Sequence, residues 1–131
     1  MISQPIVDQL ETGTLSVADF DHLRHVEAAW ELLEERPFLD AARRFVDVVS
    51  EKVAAAGAYD KFNLTLTLAF LGVIAERRLD TPAPSFAEFL AANPDLESNV
   101  VKRWYSPDRL WSAHARQTFV LPDCVPGRPS R

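Results

Sequence analysis

The sequence predicts an all-α domain: a compact antiparallel bundle of three longer helices and several short ones, with an extended proline-rich C-terminal tail. Three observations predict it. Apolar residues recur every three or four positions through residues 20–33 and again through 39–53, which is the spacing of one helix face. The stretch that alternates with period two, Asn63 to Leu68, is a strand pattern, but a lone strand has nothing to pair with, and even a hairpin is marginal alone. The 131 residues, 47% hydrophobic and 25% charged, suit one domain able to bury a core without disulfides.

Residues 1–15 read as an N-terminal arm, loose or folded into one short helix, 16–120 as the helical domain, and 121–131 as the tail. Ser16 followed by Asp19 approximates a capping box and sets the start of the first strong helix. Phe20, Leu23, Val26, Trp30 and Leu33 form its apolar face, Glu31, Glu34 and Glu35 its wet side, and Pro37 ends it or opens the next element. The second helix runs from Phe38 to Ala56 with Leu39, Ala42, Phe45, Val46, Val49 and Val53 as its stripe. Gly57 follows where a left-handed residue would stop it.

The third segment, Asp60 to Leu79, is apolar on most sides and belongs in the middle of the bundle. Ser85 and Glu88 form a capping box for a short helix that Asn93-Pro94 stops. Asp95 to Tyr105 reads as another helix. Ser106-Pro107 opens a short one through Trp111, and Ser112 caps a last helix to about Val120. The tail from Leu121 carries prolines and reads as extended, with Leu121 and Val125 placed to pin it.

Composition removes several classes of function. A formal net charge of −5 argues against a nucleic-acid partner, which needs a basic face. No apolar run reaches the roughly 18 residues that span a bilayer. The start of the chain lacks the basic and apolar regions of a secretory signal, and the single cysteine, Cys124, cannot form an internal disulfide, so the expected compartment is the cytoplasm. With no glycine-rich phosphate loop, GxSxG or CxxC, the common nucleotide and nucleophile motifs are missing.

What chemistry remains centres on His22 and His25, three apart on the first helix and therefore one turn apart on one side. Such a pair can act as acid and base near neutral pH or supply two ligands to a metal. The plain alternative is two partly exposed surface imidazoles. Asp60, opening the third segment, is the candidate third ligand for a divalent transition metal. Asn63 suits a hydrogen bond to an imidazole or a carbonyl substrate. Trp30, Phe62, Trp104, Tyr105 and Trp111 come from separate segments and either line one pocket for a flat organic ligand or serve as core. Tyr105 is the candidate proton donor beside the histidines. Thr65 and Thr67 either bond back to the carbonyl four residues earlier or turn their hydroxyls into a pocket.

Three stretches carry a resemblance. Phe20-Asp-His22-Leu-Arg-His25-Val-Glu-Ala-Ala-Trp30, then Tyr59 to Thr67, then Trp104-Tyr105-Ser106 with Phe119-Val-Leu-Pro122-Asp123 resemble segments of a set of uncharacterised small bacterial all-helical proteins. Those proteins carry F-x-H-x-x-H-x-x-x-A-W, Y-H-x-T-[LI]-T, Y-S and a terminal F-V-x-P-D. The resemblance spans about residues 20–123 and matches His22, His25, Trp30, Thr65, Thr67, Tyr105, Ser106, Pro122 and Asp123. It departs at Asn63, where the pattern has histidine. If that histidine is a third metal ligand in the set, its replacement weakens the case for a metal here. The resemblance implies no reaction.

The expected function is that of a small enzyme of lyase or isomerase type, without a nucleotide cofactor, working on a small organic molecule. His22, His25 and Tyr105 would be catalytic. Trp30, Asn63, Thr67, Trp104 and Trp111 would bind substrate. His22, His25 and Asp60 would hold the metal in a metal-assisted variant. The alternative is a binding module for a small ligand, or a homodimer formed through an exposed apolar side.

Overall fold

The computed structural model describes residues 5–11 and 21–124. Seven α-helices occur among them: α1 (Ile6–Glu11), α2 (His22–Glu35), α3 (Phe38–Ala55), α4 (Leu64–Asp80), α5 (Phe86–Ala92), α6 (Pro107–Leu110) and α7 (Ala113–Gln117). No strand occurs among the described residues. The fold is all-α, and its three long helices, α2, α3 and α4, pack against one another in pairs.

The period-two stretch is helical because Asn63 caps it. Its backbone is extended, and its side-chain Oδ1 accepts the Leu66 N–H at 2.9 Å, satisfying one of the donors a helix start leaves open. Once nucleated, the alternating leucines and threonines face three ways, and α4 buries Thr65, Phe70, Leu71 and Ile74. It contacts α2, α3, α7 and the segment before α6. α4 therefore begins at Leu64, and a 3-10 turn, Tyr59–Lys61, occupies the residues in front of it.

Other boundaries follow local chemistry. Asp21 caps α2: its backbone is extended and its Oδ1 accepts the Arg24 N–H at 3.0 Å. The helix thus starts at His22, and the expected Ser16–Asp19 cap, with Phe20, lies outside the described residues. At the far end of α3, the Ala58 N–H reaches the Val53 carbonyl and the Gly57 N–H that of Ala54, the two bonds of a Schellman stop. Gly57 has φ +71°, a conformation that side chains with a Cβ resist. Leu39, expected in the α3 stripe, is 80% exposed, whereas Ala41 and Val48 are buried. Leu39 stands in the first turn of α3, where that side of the helix is exposed.

Two expectations fail between α5 and the tail. Residues 95–105 do not form one helix but two 3-10 turns, Pro94–Glu97 and Val100–Arg103, separated by an extended Ser98 and by Asn99. The Asn99 side chain accepts the Val101 N–H and opens the second turn. The Ser85, Ser106 and Ser112 caps form as expected, but α7 stops at Gln117 rather than Val120. Thr118 turns extended because its neighbours are claimed by α4: the buried Thr65 hydroxyl donates to the Thr118 carbonyl at 2.7 Å and accepts the Val120 N–H at 3.0 Å. Val120 packs on the core, whereas Leu121 is 69% exposed and pins nothing; Val125 lies outside the described residues. The tail is held through polar bonds instead. Tyr105 donates to the Val120 carbonyl, Arg109 to that of Leu121, and the Asp123 carboxylate takes both the N–H and the hydroxyl of Ser106.

Candidate functional site

The first turn of α2 and the first turn of α4 border one cavity of about 360 Å³. α3 supplies Phe45, Val49 and Val53 to its wall, and α4 supplies Leu66 and Phe70, with Phe62 just ahead of that helix. The polar lining is Asp21, His22, His25, Lys61, Asn63, Thr67 and Asn99. The volume falls within the range of small-molecule sites, and an apolar hollow with a few polar groups is their usual chemistry.

His25 is half-buried, and its Nδ1 lies 2.7 Å from the Asp21 carbonyl. A carbonyl only accepts, so Nδ1 carries the proton and the neutral ring keeps its lone pair on Nε2. Burial pushes the His25 pKa below its ordinary 6.5, and the neighbouring His22 acts in the same direction. The bond to the Asp21 carbonyl and the Asp21 charge oppose this without cancelling it. The positive end of the α2 dipole also disfavours a second proton here. Burial and the helix start thus both favour the neutral form of the His25 ring.

His22, at the rim, is more exposed. Its Nε2 donates to the Leu96 carbonyl at 2.9 Å, and its ring meets Phe70 edge-on with centroids 5.3 Å apart. The 3-10 turn that holds Leu96 therefore fixes one imidazole, and the N-cap of α2 itself fixes the other.

Asn63 is buried, and its amide is committed on both sides: Oδ1 caps α4 and Nδ2 donates to the Leu110 carbonyl at 2.7 Å. Thr67 also lines the cavity while donating to the Asn63 carbonyl at 2.7 Å, so the two expectations for it hold together. Thr65 does neither. It points away from the cavity and ties down the chain after α7.

The other expected site residues lie elsewhere. Tyr105 and Trp104 border a second hollow, between α4 and the tail. Tyr105 is buried, its hydroxyl donates to Val120, and burial raises its pKa above the ordinary value, with Arg109 opposing. It is not beside the histidines. Trp30 packs on Phe86 and Phe89, ring centroids 6.0 and 6.3 Å away, joining α2 to α5. Trp111 is 50% exposed and lines neither hollow. Of the five aromatics expected to share a pocket, Phe62 alone borders the histidine cavity. Asp60 is exposed and outside that lining, and no group of three His, Cys, Asp or Glu side chains among the described residues is placed to hold a metal. The expected His22–His25–Asp60 triad is not assembled. A helix that starts only at Leu64 leaves Asp60 in the preceding turn.

Sequence reasoning passes over Lys61 and Asn99, and it sets Asp21 aside because the residue one before His22 points elsewhere on a helix. Asp21 had a local signal, an acidic residue immediately before the histidine pair, but the Ser16–Asp19 pattern competed for the cap. Nothing in the sequence near Asn99 announces the cavity, because its place depends on how the two 3-10 turns fold back.

No family model, curated protein or solved structure matches the chain.

Proposed function

We propose that the protein is a small acid/base enzyme in which His25 accepts a proton from an organic substrate held in the cavity between α2, α3 and α4. The observation that carries this reading is the His25 ring, half-buried on the wall of a largely apolar hollow and locked by the Asp21 carbonyl with Nε2 as its basic nitrogen. In such a step the substrate C–H or O–H bond breaks, the proton joins Nε2, and the electron pair moves into an adjacent carbonyl or expels a leaving group. Returning the proton to another atom completes an isomerisation; losing hydroxide with it completes a dehydration. A positioned imidazole contributes about 10²–10⁴-fold to steps of this kind. Thr67, beside Asn63 on the lining, has hydroxyl lone pairs left to orient a substrate donor.

The test uses a probe substrate, 5-nitro-1,2-benzisoxazole, a flat apolar molecule whose ring opens when a base removes its C3 proton. The wild-type protein should open it about 10²-fold faster than free imidazole at equal concentration. His25→Gln should remove the acceleration, and the acid limb of the rate profile should lie below pH 6.5. A rate no greater than that of imidazole, or one that His25→Gln leaves unchanged, overturns the reading.

A second reading has its own support. Both imidazoles already donate to main-chain carbonyls, which is a structural use of histidine. On that reading the cavity holds a small ligand without turning it over, and the probe binds but does not react.

A further inference from the structure

Of the cavity's lining residues, two carry donor groups that the fold has not used. Lys61 is exposed at the end of the 3-10 turn before α4, and among the described residues no carboxylate pairs with it. Asn99 has its Oδ1 committed to the Val101 N–H, while its amide NH₂ has no partner among the described residues. Of the acceptors nearby, Asp21 and Asn63 are already engaged. Asp21, the other charged side chain on the lining, has its carboxylate at the Arg24 N–H. Asn63 is committed at both ends. The wall behind these groups, Phe45, Val49 and Phe70, is apolar and takes the body of a ligand but not its charge.

We propose that the cavity takes an organic anion, an apolar or aromatic body bearing one carboxylate, with Lys61 as its counter-charge and the Asn99 amide as a second donor to the same group. This rests on the reading of the cavity as a ligand site, and it adds the substrate class. A neutral hydrocarbon would leave both donors idle at the mouth. A cationic ligand would meet Lys61 at close range and find only the capping carboxylate of Asp21 in return. A carboxylate satisfies both donors at once, and a charge-assisted bond is the stronger kind. It also suits the base: removal of a proton near a carboxylate or carbonyl builds negative charge on oxygen, which an ammonium at the mouth can meet.

The probes are 3-phenylpropionate and its neutral isostere 3-phenylpropionamide, titrated at low salt into the full chain and into Lys61→Gln, with amide chemical shifts followed by NMR. Lys61 is exposed, so its replacement does not threaten the fold. Wild type should bind the carboxylate about fivefold or more tighter than the amide, the ratio an ion pair at the upper end of the surface range supplies. Lys61→Gln should remove that preference and leave the amide's affinity unchanged. Raising the salt concentration should shrink the preference in wild type alone. Equal affinity for the two probes in wild type, or a preference that survives Lys61→Gln, overturns the anion assignment while leaving the cavity as a ligand site. Failure of both probes to shift Val49, Leu66 and Phe70 overturns the cavity reading itself and the anion assignment with it.

Discussion

At the scale of single residues, polar side chains decide what the apolar pattern leaves open. His25 illustrates it. The unfolded imidazole takes a proton near 6.5, while the folded one, its pKa lowered chiefly by burial, takes it only at lower pH. Across that window the unfolded state binds more protons, so stability falls as pH drops below about 6.5. An NMR titration of the ring should place its midpoint below 6.5. Urea unfolding of His25→Gln should lose stability between pH 7 and pH 5 less steeply than wild type. Thr65 is a second case. Thr65→Val keeps the shape but strands the Thr118 carbonyl and the Val120 N–H, at a cost of about 1–3 kcal/mol by urea unfolding. Much of this was legible in the sequence: the histidine spacing, Asn63 and Thr67 all pointed to the face that borders the cavity. Thr65 was not, since its partners lie 53 and 55 positions away, and no local pattern encodes a contact that only the finished packing creates. Tyr105 and the tryptophans lie away from the histidine cavity for the same reason: a bulky ring at helical spacing fits several neighbours equally well.

At the scale of elements, helix existence was written in periodicity and helix ends in caps, and the errors fell where two signals competed. Gly57 and Gly72 show how sharply position matters. Gly57 sits at φ +71°, while Gly72 lies inside α4, and a Cβ added there meets nothing within 4 Å. Gly57→Ala should therefore destabilise and Gly72→Ala stabilise, each by about 0.5–1 kcal/mol, with thermal midpoints moving in opposite directions. The pair of 3-10 turns between α5 and α6 replaced an expected helix because its polar ends are bound outward. Arg77 of α4 grips Asp95 with two bonds, at 2.9 and 2.8 Å, and Arg103 adds a third contact at 3.0 Å. The Arg77 bond, more than any other effect, holds the Asp95 pKa down to about 2. This depression favours the folded state above the unfolded pKa near 3.8, and the benefit is lost as pH falls through about 2. Asp95→Asn should cost about 1–2 kcal/mol at pH 7 after allowance for solvent screening, and only a small fraction of that near pH 2, as measured by urea unfolding at both pH values.

At the scale of the whole molecule, the three long helices make the cavity, and the segments after α4 hold it in shape. α4 is surrounded on most sides, as its apolar character implied, and no helix among the described residues is long and apolar enough to cross a membrane. Leu96 fixes His22, Leu110 holds the Asn63 amide, and Val120 closes over Thr65. The histidines thus belong to an early helix, while the groups that position their surroundings come from the last third of the chain. A protein truncated after Gln117 should lose its cooperative urea transition, because Thr65 and Tyr105 are then left buried without partners.

The clasp between Thr65 and Val120 also bears on how the protein is made. A ribosome that has released the chain through α4 has delivered both imidazoles and all of the hollow's lining except Asn99, yet the Thr65 hydroxyl still waits for two main-chain groups 53 and 55 residues downstream. Until synthesis reaches them, that hydroxyl is better solvated than buried, and α4 gains by staying loosely docked. Maturation of the pocket is thereby deferred until residues 118–120 have emerged and closed over the central helix.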